Sequence, residues 1–128
     1  MTEPEFPLAA QFRERREELE RALAYTGGTH TLDDVWQGVI EGKFQLWIFP
    51  ESIAITEVLE YPRCRSLHVF LAAGRMQELE ALYPVLLTWA MKMGCDRMSV
   101  SGRPGWARSF LAKDGWQTSH IVITKALE

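Results

Sequence analysis

Apolar residues recur at helical spacing in the first part of the chain. From about Glu5 to Tyr25 the sequence is dense in Arg, Glu, Leu and Ala, and its apolar positions repeat every four or seven residues: Leu8, Phe12, Leu19 and Leu23. This period predicts one amphipathic helix whose opposite, charged face is solvated. We assign no chemistry to that face.

A second, shorter helix is expected after the glycine pair Gly27 and Gly28. Thr31 is followed three residues later by Asp34, which resembles an N-terminal capping box with Asp in the Glu position. The helix should stop at Gly42, a residue suited to a left-handed C-terminal cap. Its predicted inward positions are apolar: Val35, Trp36, Val39 and Ile40.

From Phe44 the pattern becomes that of strands. The segments FQLWIF, SIAITEVLEY and SLHVFLAA are rich in β-branched and aromatic residues, and turn residues such as Pro50 and Pro62 separate them. They predict three sequential antiparallel strands, of which the third ends at Gly74.

The next segment, from Met76 to Met93, has the period of a long helix that ends at Gly94. Pro84 must either kink this segment or open its main helix. The predicted buried face consists of apolar residues: Leu79, Leu82, Leu86, Ala90 and Met93.

The remaining pattern predicts a strand in DRMSVSG, a short helix from about Trp106 to Lys113, a turn at Asp114 and Gly115, and a last strand in SHIVITKAL. The order α, α, β, β, β, α, β, α, β indicates an α/β (α+β) fold with helices packed on a mixed sheet. A length of 128 residues with 47% hydrophobic content fits a single domain, residues 1–128.

Charge and composition restrict the partners. The formal net charge is -3, so the chain has no overall excess of basic residues. Acidic residues such as Glu17 and Glu18 also interrupt the arginines of the first helix. We therefore do not expect nucleic acid as a partner. No uncharged apolar run is long enough to span a bilayer, and the acidic start MTEPEF is unlike a secretory signal, so we expect no membrane association.

The two cysteines, Cys64 and Cys95, have no His or Cys partner at metal-ligand spacing. Free thiols in a reducing compartment are the simplest interpretation, and we expect no metal. A single buried disulfide remains the alternative.

The element order from about Phe44 to Leu127 resembles the GNAT (N-acetyltransferase) fold from its second strand onward. VLLTWAMKMGCDRMSV resembles the family's long helix with the strand that follows, and ARSFLAKDGW resembles its short helix ending in Lys-x-Gly-aromatic. The pair TEVLEYPRCRSLHVFLAAG and GRPGWARSFL also resembles small GNAT-like proteins encoded among virion genes of tailed phages and prophages.

This resemblance implies an antiparallel meander followed by β-α-β-α-β with a central strand splay. Residues 1–28 stand where the family has its first strand and first helix, so we expect a peripheral helix that docks on the sheet edge or pairs with another subunit. It also implies acetyl-CoA as the cofactor, with the pyrophosphate on main-chain amides at the start of the long helix. The matching positions are Leu71, Ala73, Gly74, Arg75 and Met76.

The pyrophosphate loop departs from the family pattern. Counted from Arg75, the two positions that the family fills with small residues hold Glu78 and Glu80, whose charges would repel a phosphate. The alternative is a shorter nest in which Gly74 and the N–H groups of Arg75 and Met76 hold the anion, with the Arg75 side chain as counter-ion.

The catalytic positions depart as well. Leu111 stands where many members of the family have a tyrosine general acid, and leucine has no proton to donate. The candidates for the general base that the resemblance implies are Glu57, Glu60 and His68, and Glu57 and His68 could face the same cleft if the strands pair as expected. Their other interpretation is that of solvated or half-buried strand residues, and we expect His30 and His120 to be exposed.

The segment GRPGWARSF is the remaining candidate site. Arg103 and Arg108 flank Trp106 there, a combination that could hold an anion or anchor a protein partner. In the structural alternative, Trp106 fills the groove beside the sheet while the arginines cap carbonyls or pair with Glu78 and Glu80.

Two functional hypotheses follow from these departures. The first is a GNAT-fold protein without catalysis, a virion-associated binding or assembly protein whose partner is a virion component or another copy of the chain. The second is an active CoA-dependent N-acyltransferase that acts on an unknown amine. The expected location is the host cytoplasm or the virion.

Overall fold

Residues 9–102 and 104–127 are described by a computed structural model, and within them four strands form one mixed sheet. The strands are β1 (Phe44–Ile48), β2 (Ile53–Glu60), β3 (Arg65–Ala73) and β4 (Arg97–Val100), in the order β1-β2-β3-β4. The first three pair antiparallel and β4 pairs parallel to β3. The predicted α/β class and meander are therefore confirmed.

The helices are α1 (Ala9–Glu14), α2 (Arg16–Leu23), α3 (Leu32–Ile40) and α4 (Met76–Lys92). Short 3₁₀ turns occupy Ala24–Thr26, Pro104–Arg108 and Phe110–Asp114. Two apolar clusters cover the two faces of the sheet, one beneath α1 to α3 and the other beneath α4.

The N-terminal helix of the sequence forms as α1 and α2, which are interrupted at Arg15. The predicted apolar positions Phe12, Leu19 and Leu23 are buried, whereas Leu8 lies outside the described residues. The Arg15 guanidinium donates to the carbonyl oxygens of Phe49, at 2.7 Å, and of Pro50. This side chain therefore ties the helix to the turn between β1 and β2.

The start of α3 agrees with the sequence in detail. The Thr31 hydroxyl accepts from the amide of Asp34 at 3.2 Å, and the Asp34 carboxylate accepts from the amide of Thr31 at 2.8 Å. These two bonds satisfy amides that the first turn of a helix cannot pair internally. The helix ends before Gly42, which has a left-handed φ of 81°.

Most of the predicted inward positions of α3 and α4 are buried or half-buried, but two predictions were wrong. Ile40 is 41% exposed and Met93 is 39% exposed. Each lies at the C-terminal end of its helix, one or two residues before the chain turns at Gly42 or Gly94. The spacing of apolar residues along a helix does not show at which residue the helix end stops packing on the sheet.

Pro84 lies inside α4, which runs from Met76 to Lys92 without interruption. The interpretation that Pro84 opens the main helix was therefore wrong. The helix tolerates Pro84 on an exposed face, and the Thr88 hydroxyl donates to the Pro84 carbonyl at 3.1 Å.

A β-bulge at Phe70 offsets the two halves of β3. Ile55 faces Leu71 and Thr56 faces Val69, so Phe70 is the extra residue between them. Its ring stacks on Phe44, with centroids 5.4 Å apart and planes 8° apart. The bulge thus turns an aromatic side chain toward the face that α1 to α3 cover.

The parallel pairing of β3 with β4 ends at Val69 and Val100, followed by one long bond from the Ser101 amide to the Val69 carbonyl at 3.4 Å. β3 continues as a strand to Ala73, while the chain leaves β4 for a 3₁₀ turn. Beyond Val69, β3 therefore runs on without β4 beside it, in the place where the resemblance implies a strand splay.

The segment after β4 differs from the prediction in two ways. The expected short helix is two 3₁₀ turns, because Ser109 adopts an extended conformation between them and its hydroxyl accepts from the Leu111 amide. The expected last strand was wrong: residues 117–127 form no strand and are exposed. A strand needs a neighbour, and no strand of the described chain lies beside this segment.

Candidate functional site

The junction between β3 and α4 is pressed against the turn between β1 and β2. Gly74 has a φ of +124°, and a Cβ on it would lie 2.4 Å from the Glu51 carbonyl oxygen and 2.5 Å from the Ser52 Cα. Only glycine fits there. The close approach brings the first turn of α4 within hydrogen-bonding distance of Glu51 and Ser52.

Ser52 and Glu78 connect these two segments through a chain of hydrogen bonds. The Arg75 amide donates to the Ser52 hydroxyl oxygen at 2.8 Å, and the Ser52 hydroxyl donates to the Glu78 carboxylate at 2.6 Å. The same carboxylate oxygen accepts from the Glu51 amide at 3.1 Å. Ser52 is 1% exposed, so its bonds are shielded from water.

The charges at this helix start are also paired within the chain. Glu78 places a carboxylate in the first turn of α4, where the helix dipole favours an anion. The Arg75 guanidinium forms an ion pair with Glu51 at 2.8 Å between Nε and Oε2. The chain therefore supplies its own anion to the positive end of α4 and its own partner to the neighbouring arginine.

Two of the groups that the resemblance implies for acyl-CoA binding are bonded within the chain. The proposed nest needs the Arg75 amide and guanidinium, and these groups are bonded to Ser52 and Glu51. The side chains of Leu71 and Ala73 are buried in the core beneath α1 to α3. Met76 is 49% exposed at the helix start.

Truncating Glu78 should destabilise the fold. The variant Glu78→Ala leaves the buried Ser52 hydroxyl and the Glu51 amide without their acceptor, and we expect the free energy of unfolding to fall by about 1–2 kcal/mol. Urea denaturation measures this loss. Glu80→Ala is the matched control, because Glu80 is exposed two residues further along the same helix. Equal losses in the two variants would contradict the assigned role of Glu78.

The candidate bases Glu57 and His68 lie directly opposite each other on β2 and β3, and both are half-buried. Directly opposed residues of an antiparallel pair share one face of the sheet. Phe44 on β1 is the other neighbour of Glu57 across the strands, and it belongs to the apolar cluster beneath α1 to α3. Glu57 and His68 therefore lie on that face of the sheet. Glu60 does not join them, since it is exposed and paired with Arg65.

His68 is held between two serines that the sequence reasoning missed. Its Nδ1 lies 2.7 Å from the Ser99 hydroxyl oxygen and its Nε2 lies 3.0 Å from that of Ser101. Ser99 also contacts the buried Ser66 hydroxyl at 3.2 Å. The alternation of Ser99 and Ser101 in DRMSVSG indicated one shared face, but their pairing with His68 depends on the parallel register.

Burial shifts the pKa values of the two candidate bases, His68 and Glu57, in opposite directions. It lowers the pKa of His68 below the ordinary value of 6.5, so the imidazole is held neutral with one nitrogen donating and the other accepting. Burial raises the pKa of Glu57 above 4.5, while the positive charges of Lys43 and His30 act against the shift. Neither shift depends on a bound ligand.

His68 should make stability pH-dependent. Its folded-state pKa is depressed, so between that pKa and 6.5 the unfolded chain binds more protons, and the free energy of unfolding rises with pH there. The contribution is present above 6.5 and is lost as the pH falls through the folded pKa. We expect His68→Gln to flatten this part of the profile in urea denaturation. An unchanged slope would contradict the burial of a neutral His68.

His30, predicted to be exposed, is half-buried and belongs to this face. Its ring lies 4.7 Å from the Phe70 centroid and 6.1 Å from that of Phe44. The prediction was wrong because the bulge that directs Phe70 toward His30 leaves no sign in a single sequence. His120 is exposed, as expected.

A small apolar cleft lies on the other face, between α4, the sheet and the two 3₁₀ turns, with a cavity volume of about 40 Å³. Leu111, at the position where the resemblance implies a general acid, is 6% exposed and lines this cleft. Trp106 and Trp116 also line the cleft, in agreement with the packing interpretation of Trp106.

The Arg-Trp-Arg cluster is described only in part. Arg108 is exposed, Trp106 is half-buried, and Arg103 lies outside the described residues. The Glu78 carboxylate accepts from Ser52 and Glu51, and the predicted pairing of Arg103 with Glu78 lies outside the described residues. An anion or partner site at Arg103, Trp106 and Arg108 stays a prediction.

Residues 9–102 and 104–127 hold no cluster of three or more His, Cys, Asp or Glu side chains placed to bind a metal ion. Cys64 and Cys95 are free thiols. Among the described helices, none has the length and apolar character needed to cross a bilayer.

Comparison with known proteins gives structural likeness without sequence likeness. No protein-family model and no curated protein matches the chain. Wild-type TTHA1254 from Thermus thermophilus is similar, with a TM-score of 0.56 and 16% identity over 90% of this chain and 92% of that chain. A tetramutant of BH1408 from Bacillus halodurans has a TM-score of 0.57 and 7% identity over 92% and 88% of the two chains.

A ribosomal-protein-alanine N-acetyltransferase from Brucella melitensis biovar Abortus 2308 is also similar. Its TM-score is 0.51, at 15% identity over 86% of this chain and 94% of that chain. At these identities the likeness concerns the fold alone. Together with the mixed sheet and the end of β3–β4 pairing at Val69, it shows that this chain has a GNAT-like fold.

Proposed function

We propose that this chain is a GNAT-like scaffold that has lost the family's CoA chemistry and acts as a binding or assembly protein. The observation that carries the proposal is the Glu78 carboxylate, which is bonded to Ser52 and Glu51 at the start of α4. A pyrophosphate would need that position and would meet a negative charge there.

The energetic argument favours the internal anion. At about 4 Å, two like charges near a protein surface repel by roughly 1 to 4 kcal/mol, depending on the local dielectric. A cofactor would also have to break the Ser52–Glu78 bond and the Arg75–Glu51 pair. The internal contacts are already in place and lose no association entropy, which favours them over a ligand in this proposal.

The absence of a proton donor at position 111 supports the same proposal. Leu111 is buried, and the phenol of Tyr83, on the facing helix, donates to Asp114 and accepts from the Trp116 indole at 2.8 Å. Burial and the Asp114 carboxylate raise the pKa of Tyr83. Because its proton is already donated to the Asp114 carboxylate, we assign Tyr83 the role of fastening the last 3₁₀ turn to α4 and not that of the missing acid.

A virion is the proposed setting, and a virion protein or another copy of the chain is the proposed partner. This part of the proposal rests on the resemblance of TEVLEYPRCRSLHVFLAAG and GRPGWARSFL to phage-encoded proteins. Detection of the chain in purified particles would support it. Genes for portal, capsid or tail proteins beside its own would do the same, whereas a place in an isolated metabolic operon would oppose it.

A thermal-shift titration with acetyl-CoA tests the loss of cofactor binding. A ligand present at 100 times its Kd stabilises a protein by about 2.7 kcal/mol, which moves Tm by several degrees. We expect no shift up to millimolar acetyl-CoA. A saturable rise in Tm that free acetate does not reproduce would overturn the proposal.

An active CoA-dependent N-acyltransferase is the second candidate. The observation that favours it is the placement of Glu57 and His68 on one face, close to Val69, where the parallel pairing ends. If acetyl-CoA raised Tm, acetyl transfer to amines by the wild type and by Glu57→Gln would decide between binding alone and catalysis. Loss of transfer in the variant with binding retained would establish this candidate.

A further inference from the structure

The C-terminal segment, residues 117–127, exposes apolar side chains to an unusual degree. Its sequence QTSHIVITKAL has strand composition, yet the exposed fractions of its apolar residues are 81% for Ile121, 74% for Val122, 91% for Ile123 and 93% for Leu127. A contiguous exposed apolar run of this kind marks a contact surface.

The outer edge of β4 has no strand paired with it among the described residues. β4 is the last strand of the sheet and pairs only with β3 among the described strands. Met98 and Val100 are half-buried on the side of the sheet that α4 covers. An unpaired edge presents a row of free amides and carbonyls that another strand can pair with.

The C-terminal segment and the β4 edge match in pattern. If residues 119–125 add to β4 as a strand, Ile121 and Ile123 point to one face and Val122 to the other. With Ile121 and Ile123 on the α4 side, they extend the apolar surface of Met98 and Val100. The other face, with His120 and Thr124, then continues the polar row that holds Ser99 and Ser101.

We propose that residues 119–125 of one copy pair with β4 of a second copy, and that the exchange is reciprocal. In the single chain the Trp116 indole bonds to Tyr83, and residues 117–127 beyond it form no strand and are not paired with β4. Two copies that exchange identical segments cover both open edges and both apolar runs. Such a contact is self-complementary and closes as a two-fold dimer.

Light scattering on the full chain after size exclusion tests the oligomeric state. We expect a dimer for the wild type and a monomer for the double variant Ile121→Asp/Ile123→Asp. Met91→Asp is the matched control, because Met91 is 71% exposed on α4 and should leave the dimer intact. Near-ultraviolet circular dichroism confirms that the variants fold. A monomeric wild type, or a dimer that survives the double variant, overturns the proposal.

Cross-linking between single-cysteine chains locates the contact. In a Cys64→Ser/Cys95→Ser background, Arg97→Cys chains are mixed with Thr124→Cys chains and treated with a short bismaleimide. A link between position 97 and position 124 can form only between two chains, and we expect it. Gln45→Cys on β1, the other edge of the sheet, serves as the control and should not link to position 124.

A double variant that carries both cysteines on one chain distinguishes exchange from folding back. A link within one chain, identified by mass spectrometry, overturns the proposal in favour of an internal strand, and the absence of any link overturns it as well. The outcome is independent of the proposed loss of cofactor binding. The acetyl-CoA titration reports on the start of α4, and these experiments report on the sheet edge.

Discussion

Replacing Leu19 with alanine should lower the free energy of unfolding by about 2–5 kcal/mol. Leu19 is 0% exposed and belongs to the cluster between the N-terminal helices and the sheet. Removing its side chain loses the burial of the missing methyl groups and leaves a cavity between α2 and the sheet. Urea denaturation followed by tryptophan fluorescence measures the loss.

Met91→Ala is the control for this prediction. Met91 is an apolar residue of similar size that is 71% exposed on α4, so its truncation should change stability by less than about 0.5 kcal/mol. If Leu19→Ala were as mild as Met91→Ala, the N-terminal helices would be an appendage and not part of the core.

Gly74→Ala should be the other severe substitution, with a loss of about 3 kcal/mol or more. Two costs add at this position. The φ of +124° is one that residues with a Cβ rarely adopt, and the new Cβ would lie 2.4 Å from the Glu51 carbonyl oxygen and 2.5 Å from the Ser52 Cα. Because both neighbours are backbone atoms, they cannot rotate away.

Gly94→Ala separates these two costs. Gly94 also has a positive φ, of +75°, but a Cβ there would meet nothing within 4 Å. We expect a loss of about 1 kcal/mol from the backbone conformation alone. Similar losses for Gly74→Ala and Gly94→Ala, measured by urea denaturation, would mean that the β3–α4 junction is not held against the β1–β2 turn.

Much of the fold could be predicted because its signals are local. The capping box of Thr31 and Asp34 lies within one helical turn, and the three strands of the meander are separated by short turns with proline. The period of α4 also appears within one segment. In each case the residues that determine the element are neighbours in sequence.

The last strand was the main error, and its cause is physical. SHIVITKAL has strand composition, but a strand forms only beside another strand. Composition does not say which edge, or which copy of the chain, supplies that neighbour. If residues 119–125 pair with β4 of a second copy, as proposed above, the predicted last strand forms in the dimer although the segment is exposed in the single chain.

The sequence predicted individual residues of the candidate site but not the hydrogen bonds between them. Glu78 and Glu80 were visible as acidic residues where the resemblance implies a pyrophosphate loop, and the shared face of Glu57 and His68 was expected from antiparallel pairing. The bond from Ser52 to Glu78 joins residues 26 positions apart. Such a contact depends on the close packing of two turns, which no local pattern reveals.

The departures from the family pattern thus acquire a structural meaning. The Glu78 carboxylate accepts hydrogen bonds from Ser52 and Glu51 and so holds the start of α4 against the turn between β1 and β2. We propose that an internal contact has replaced a site for a mobile cofactor. The proposed loss of CoA chemistry depends on this replacement.

Amide resonances at the start of α4 report on this replacement without an activity assay. In a ¹⁵N-labelled sample titrated with CoA to about 1 mM, a concentration that half-fills a site of millimolar Kd, we expect no change in the amide shifts of Gly74, Arg75 and Met76. Saturable shifts of these three amides in the wild type would show that the cofactor still binds there, contrary to the proposal.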